Sequence, residues 1–280
     1  MSPAAFEPPW FFVMAVQMKR ASAGVLNIRQ FDPSTIRDGS VVGVIGKRGT
    51  GKSVLVKDVM YYKRKIPMGL IMSGTEDGNS YYGKFVPDSF VFSEFDKAAL
   101  ERLMERQKKL SKAGRAGRVF VVLDDLMYDK KIMKEKVMRQ LLMNGRHWNI
   151  FLIVTAQYVA DLGPPEIRSN CDYVIACRET IHQNRERLYR MFFGIFPSFD
   201  DFCRVFSACT ENYGVLVLDN TKQTNNIEDV VFWYKATIRD GPRNFRMGHP
   251  EFWKFHKKHY KPEEDDANAG EYGLGVRRIK

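Results

Sequence analysis

Apolar residues recur along this chain in short runs separated by segments of helical period. Val41–Ile45, Met68–Met72, Val119–Leu123, Ile150–Thr155 and Tyr173–Ala176 are too short for helices and show no alternation with polar residues. Such runs, bounded by turn residues, predict strands buried on both faces of a sheet. Between them, Ser53–Arg64 reads as a helix whose apolar face takes Val54, Val56 or Lys57, Val59 and Met60. A second helix is expected from Asp96, its N-cap, to Lys109, and a third over Lys131–Asn144. Thr75–Pro87 is rich in Gly, Asp, Asn and Ser and reads as loop; Phe90–Phe92 reads as a short strand and Pro164–Ser169 as a turn or short helix. Strands alternating with helices predict an α/β fold, a parallel sheet with helices on both faces.

Beyond Ala176 the rhythm changes. Helices are expected at Gln183–Phe193 and Phe199–Cys209, then strands at Val215–Leu218 and Val230–Tyr234 that extend the sheet edge. Residues 1–38 read as a lead-in, 39–260 as the domain and 261–280 as a disordered tail opening on an acidic cluster, Glu263–Asp266. No internal repeat is visible.

The pattern places one motif in a telling position. Gly46-Lys47-Arg48-Gly49-Thr50-Gly51-Lys52-Ser53 follows the first buried run and opens the first helix, matching G-x-x-x-x-G-K-[ST] in full. In such a loop successive N–H groups turn toward phosphate oxygens and the helix N-terminus faces them too. Lys52 is expected to reach the β- and γ-phosphates, and Ser53 to ligate Mg²⁺. The nucleotide-binding set is therefore Gly46, Lys47, Arg48, Gly49, Thr50, Gly51, Lys52, Ser53 and Val54, and the expected ligands are ATP and Mg²⁺.

Two further strand tips carry polar groups. Val119–Leu123 ends in Asp124-Asp125, two adjacent acids whose mutual repulsion makes sense beside a cation. Asp124 is expected to hold the metal and Asp125 to orient and polarise an attacking water. Thr155-Ala156-Gln157 ends the following strand with an amide that could contact the γ-phosphate, although a polar strand tip is commonplace. Asn144-Gly145-Arg146-His147 precedes that strand, and Arg146 could act as an arginine finger across a subunit boundary. Spacing alone fits a helix-ending Gly beside a surface arginine better. Arg168 is a second candidate.

Composition narrows the partners. The chain has 280 residues, 44% of them hydrophobic, enough for one large α/β domain, and a formal net charge of +11 that favours polyanions such as nucleic acid. Basic clusters lie at Lys108, Lys109, Lys112, Arg115 and Arg118, and at Lys130, Lys131, Lys134 and Lys136; a third, Lys257, Lys258 and Lys261, is interleaved with Trp253, Phe255, His256 and Tyr260. Either of the first two could line a phosphate backbone, though a solvated helix face fits each better; the third suits nucleic acid and a docking helix alike. Cys171, Cys177, Cys203 and Cys209 form no C-x-x-C pair and read as small core residues of a reducing compartment. The apolar patch Trp10–Val16 is too short to span a bilayer and lacks signal-peptide flanks, so a soluble, non-secreted protein is expected. A GTPase would show N-K-x-D, which Asn220-Thr221-Lys222-Gln223 does not match.

Together these segments resemble the virion genome-packaging ATPases of nucleocytoplasmic large DNA viruses, the poxvirus-type branch of the FtsK–HerA superfamily. The resemblance runs from about Val41 to His256. It is carried by Gly46–Ser53, Ser73-Gly74-Thr75-Glu76, Val121–Asp125 followed by Met127-Tyr128-Asp129, and Asn144-Gly145-Arg146-His147-Trp148. Ala156-Gln157, Ile167-Arg168-Ser169-Asn170 and Cys209-Thr210-Glu211-Asn212-Tyr213 complete it. It implies a RecA-like P-loop NTPase core with an additional strand, tipped by Gln157, between the P-loop strand and the Asp124-Asp125 strand. It also implies a homo-oligomeric ring, expected to be hexameric, that drives double-stranded DNA into a preformed capsid, with capsid or portal-vertex proteins as partners. The expected location is the host cytoplasm, at the viral factory, and the virion. Arg146 takes the arginine-finger position and Gln157 the sensor position. One departure is Asp125, where the superfamily usually has glutamate. The rival readings are a cellular-type DNA-pumping ATPase or helicase of the same class, and an ATP-switched scaffold that binds DNA or capsid without moving either.

Overall fold

A computed structural model describes residues 26–76, 80–126, 129 and 131–259. The Trp10–Val16 patch, Met127, Tyr128, Lys130, Tyr260, Lys261 and the expected tail lie outside the described residues. The strands are β1 (Arg29–Gln30), β2 (Val41–Ile45), β3 (Met68–Ser73), β4 (Val91–Phe92), β5 (Val119–Asp124), β6 (Ile150–Ala156), β7 (Tyr173–Cys177), β8 (Gly214–Asp219) and β9 (Val231–Lys235). They form one sheet in the order β1-β9-β8-β7-β2-β6-β5-β3-β4. From β7 to β4 all pairings are parallel; β8 is antiparallel to both β7 and β9.

The sequence runs explain this order. Every residue of β2, β5, β6 and β7 is buried, as continuous apolar strands covered on both faces must be. Alternate residues serve two separate cores. Val41, Ile45, Val121, Leu123, Leu152 and Val154 point into one; Val42, Val44, Val122, Phe151, Ile153 and Ile175 point into the other. Helix α1 (Lys52–Tyr62) covers the second core with Leu55, Val56, Val59 and Met60. Helices α2 (Lys97–Lys112) and α3 (Lys136–Asn144) cover the first, the Asp96 side chain capping α2 by accepting from the Ala99 amide at 2.8 Å. The short α4 (Pro165–Arg168) leads into β7, and α5 (His182–Met191) and α6 (Phe199–Cys209) extend the first core with Leu188, Phe202 and Phe206. The single turn α7 (Ile227–Val230) precedes β9, and α8 (Pro250–His259) closes the described chain, inserting Phe252 in the second core.

Several expectations change. Within the segment expected as lead-in, Arg29–Gln30 pair with β9, and Phe31 and Ile36 are buried in the second core. The helix expected over Lys131–Asn144 is interrupted, because Glu135 takes an extended backbone (φ −60, ψ 138) between a short 3₁₀ turn and α3. Val54 is not part of the buried face of α1 but 36% exposed, on the first turn of the helix that the P-loop opens. Lys57 does point inward, where it pairs with Asp240 at 2.6 Å and lies over the rings of Tyr81 and Phe85. The 80–86 segment, expected as polar loop, buries Tyr82, Phe85 and Val86. All four cysteines are free, but only Cys171 and Cys177 are buried, while Cys203 and Cys209 are partly exposed.

Candidate active site

The loop between β2 and α1 needs its glycines for two physical reasons. A Cβ at Gly46 would stand 2.6 Å from both the Cys177 Cβ and the Thr50 hydroxyl, so the backbone passes too close to β7 for any side chain. Gly51 takes the N-cap position of α1 with φ 88, a left-handed conformation that costs other residues about 1–2 kcal/mol. The turn leaves α1 with its first N–H groups facing the loop, and Lys52, 8% exposed, folds its ammonium onto the Lys47 carbonyl at 3.1 Å.

The tips of neighbouring strands converge on this loop. Asp124, at the end of β5, is buried, and its carboxylate accepts three hydroxyls. The Ser53 hydroxyl donates to Oδ2 at 2.9 Å and the Tyr82 hydroxyl to the same oxygen at 2.7 Å. The Thr155 hydroxyl, on β6, donates to Oδ1 at 2.7 Å while accepting the Asp125 amide at 2.9 Å. Asp125 has left β5 in a left-handed conformation, φ 51. That turn directs its carboxylate toward Gln157, whose amide donates to it at 3.1 Å. The five residues singled out from sequence at this end of the sheet, Lys52, Ser53, Asp124, Asp125 and Gln157, are thus brought together. Their shared position follows from topology, because β6 lies between β2 and β5 in matched parallel register.

Groups the sequence reading passed over complete the site. Tyr82 is delivered by Glu76, whose carboxylate accepts the amides of Tyr82 at 2.9 Å and Gly83 at 3.1 Å. Burial, and next the Asp124 carboxylate, hold the Tyr82 phenol well above its ordinary pKa, so it remains a hydrogen-bond donor. Glu179, two residues beyond β7, pairs with Lys47 of the loop at 2.7 Å. Burial alone would raise its pKa, but the Lys47 ammonium, the Ile181 amide and Asn184 hold it below the usual carboxylate range. Burial pushes the Cys177 thiol, packed against Gly46, up to about 11, so it offers no thiolate near neutral pH. The available signal was the rule that ligands bind beyond the carboxyl ends of parallel strands, which points to residues just past each tip.

Arg146 and Arg168 lie elsewhere. Arg146 is in the 3₁₀ turn Gly145–Trp148 before β6, at the end of the strand opposite Gln157. The strand between them spans 7 residues, about 20 Å. The Arg146 guanidinium donates to the Asn170 side chain at 3.3 Å, so two of the segments that carry the resemblance, 144–148 and 167–170, meet at this far edge. Arg168 is half-buried and engaged within its own chain, donating to the Gly163 carbonyl and approaching the Met191 sulfur at 3.5 Å.

As for a metal, no cluster of three or more His, Cys, Asp or Glu side chains among the described residues could hold one. Ser53 and Asp124 supply a hydroxyl and a carboxylate 2.9 Å apart, which fits Mg²⁺ that takes its remaining ligands from phosphate and water.

The sheet order, the loop and the acidic tip beside it define a P-loop NTPase with an additional strand between the phosphate-loop strand and the acidic strand. No family model matches the chain. Proteins of large DNA viruses do match. The chain is 36% identical over 248 residues to uncharacterized protein L437 of Acanthamoeba polyphaga mimivirus, covering 85% of this chain and 83% of that protein. It is 35% identical over 247 residues to uncharacterized protein 075L of Invertebrate iridescent virus 6, covering 87% and 94%. The chain belongs to the family of these large-DNA-virus proteins. Its fold is similar to that of the genome packaging NTPase B204 from Sulfolobus turreted icosahedral virus 2, solved in complex with AMPPCP. That similarity has a TM-score of 0.51 at 21% identity over 72% of this chain and all of B204. No helix among the described residues is long and apolar enough to cross a membrane.

Proposed function

We propose that this protein is an ATP-hydrolysing motor that moves double-stranded viral DNA into a capsid, acting as a homo-oligomeric ring at the capsid vertex in the host cytoplasm. The observation that carries the reading is the convergence of Ser53, Asp124, Thr155, Asp125 and Gln157 at one end of the sheet beside Lys52. Binding alone requires the loop; hydrolysis requires a group that orients water, and a second acid held by a neighbouring strand supplies one.

In this reading the loop amides and Lys52 bind the β- and γ-phosphates of ATP. Mg²⁺, held by Ser53 and Asp124, neutralises charge on the phosphate oxygens when bound. Thr155 sets the positions of both acids at once, and Gln157 aims Asp125 at the water it orients. Arg146 cannot reach the loop of its own chain, being at the opposite end of β6. In this reading it serves a neighbour's site, as an arginine finger in trans. Gln157 and Arg146 flank the two ends of one rigid strand, so a change at the γ-phosphate is transmitted along β6 to the subunit boundary. Among the basic clusters, Lys108–Arg118 lies at the Arg146 edge, where Ser111 donates to the His147 carbonyl at 3.1 Å and Lys108 stacks 4.5 Å over Trp148.

The test is steady-state ATP hydrolysis by the purified protein with Mg²⁺, with and without duplex DNA, followed by movement on a tethered duplex. The wild type is expected to hydrolyse ATP faster with duplex and to translocate. Lys52→Ala is expected to lose turnover by about 10²–10³-fold or more, the scale for removing one transition-state donor. ATP-dependent DNA binding without movement would reduce the protein to a switched scaffold.

A further inference from the structure

The segment that joins α6 to β8 has an unusual backbone. Asn212 and Tyr213 are consecutive non-glycine residues in the left-handed region, with φ 50 and φ 64. Such strain persists only where the surroundings impose it, and it concentrates where a side chain must be presented in a particular place. Here the side chain presented is an aromatic ring. Tyr213 is 70% exposed, the most exposed large hydrophobic side chain among the described residues. Single exposed apolar side chains are ordinary on protein surfaces; the location of this one is not. A Cβ on Gly51 would lie 3.5 Å from the Tyr213 Cδ1 atom, so the ring rests beside the last glycine of the phosphate loop.

The turn is held in place from behind. The Gly214 backbone passes so close to the carbonyl of Cys209 that a Cβ there would stand 2.3 Å from it. Thr210 is buried, and its hydroxyl donates to the Phe206 carbonyl at 2.7 Å. Gly214 then enters β8, which is buried along its length. The ring therefore stands on a rigid base, beside the phosphate cradle and open to solvent.

Gly46 packs against Cys177, whereas Gly51 adjoins the Tyr213 ring and Val54 is 36% exposed, so the loop is closed on the β7 side and open at Gly51 and Val54. We infer that Tyr213 is the platform on which the nucleobase of the bound triphosphate stacks. This rests on reading Gly46–Ser53 as the nucleotide site. A flat purine and a phenol ring give a contact that needs no hydrogen bond to the base edge.

Equilibrium binding of ATP and of inorganic tripolyphosphate, each with Mg²⁺, tests this on the full-length protein. Tyr213→Ala is expected to weaken ATP by about 5- to 150-fold, the range for losing one base–aromatic stack. Tyr213→Phe is expected to stay within about twofold of wild type, since the phenol oxygen adds little to stacking. Tripolyphosphate should bind wild type and both variants alike. In Tyr213→Trp the new indole emission should be quenched by ATP and not by tripolyphosphate. Unchanged ATP affinity in Tyr213→Ala overturns the inference, as does an equal loss of ATP and tripolyphosphate, which would mean a damaged loop. A wild type that binds neither ligand, or a Lys52→Ala variant that binds ATP normally, overturns the reading of the loop itself.

Discussion

The two ends of the central strand β6 are built on opposite principles. At its C-terminal end, polar groups satisfy one another within the chain: Ser53, Tyr82 and Thr155 all donate to Asp124, and Gln157 donates to Asp125. At its N-terminal end, Arg146 is exposed and makes one long contact, 3.3 Å, to Asn170. The first end is a finished constellation whose parts are held for chemistry. The second is a charged group on a rigid turn with little to do in its own subunit. In the proposed function such a divided site is complete only when two copies meet, and its two halves should respond differently to mutation.

The largest expected contrast is at Arg146. Arg146→Ala should lower turnover in the assembled, DNA-bound protein by about 10³–10⁵-fold, the range for an arginine finger. ATP affinity should be unchanged, and stability should move by no more than about 0.5 kcal/mol, as for an exposed side chain. Steady-state turnover, equilibrium nucleotide binding and urea unfolding measure the three. Mixing inactive Arg146→Ala with inactive Lys52→Ala should restore part of the activity, because some boundaries then pair an intact loop with an intact arginine. Failure to recover any activity, with mixed assemblies shown to form, would return Arg146 to the role of surface arginine.

Asp124→Ala should show the reverse signature. Turnover should be lost too, but the substitution also strands three hydroxyls at a buried position, each worth about 1–3 kcal/mol when left without an acceptor. Partial relaxation makes a total of about 3 kcal/mol the reasonable expectation for unfolding in urea. Tyr82→Phe removes one of these donors while keeping the ring in the second core, and should cost about 1 kcal/mol. That corresponds to a thermal shift of about 2–4 °C for a domain of this size, read by calorimetry.

These contrasts also mark what was legible beforehand. The buried runs announced β2, β3, β5, β6 and β7, because a strand covered on both faces must be apolar throughout. Gly46–Ser53 and Asp124-Asp125 were legible because their chemistry sits in contiguous residues. Placing Gln157 beside Asp125 required strand order, which came from the family resemblance and not from periodicity. Tyr82 was hidden for a different reason. It is carried by a loop that reads as polar, and its burial depends on the Glu76 carboxylate gathering two amides. Glu179 was hidden because a single acid beyond a strand tip has no local signature; only the approach of β7 to the loop puts it against Lys47. The pairing of Arg29–Gln30 was hidden because this pair has no apolar pattern of its own and joins the sheet through β9.

The smallest expected effect is the most informative about the loop's resting geometry. The Lys47–Glu179 pair links the phosphate loop to the segment following β7, and Lys47 remains partly exposed, so screening limits the pair to below about 1 kcal/mol. Its pH dependence has a definite sign. The folded-state pKa of Glu179 is below its ordinary value, so the stabilisation is fully present above the ordinary carboxylate range and is lost as pH falls through the lowered folded value. Glu179→Gln keeps an acceptor for the Ile181 amide but carries no charge. Urea unfolding from neutral to acid pH should therefore find wild type slightly more stable at neutrality, with the difference closing as the carboxylate protonates. A constant difference at all pH values would mean that Glu179 acts through its hydrogen bonds alone. Adding ATP at neutral pH sharpens the test. If Lys47 is drawn toward phosphate, the wild-type advantage over Glu179→Gln should shrink in the nucleotide-bound protein, whereas a purely structural pair would keep it unchanged.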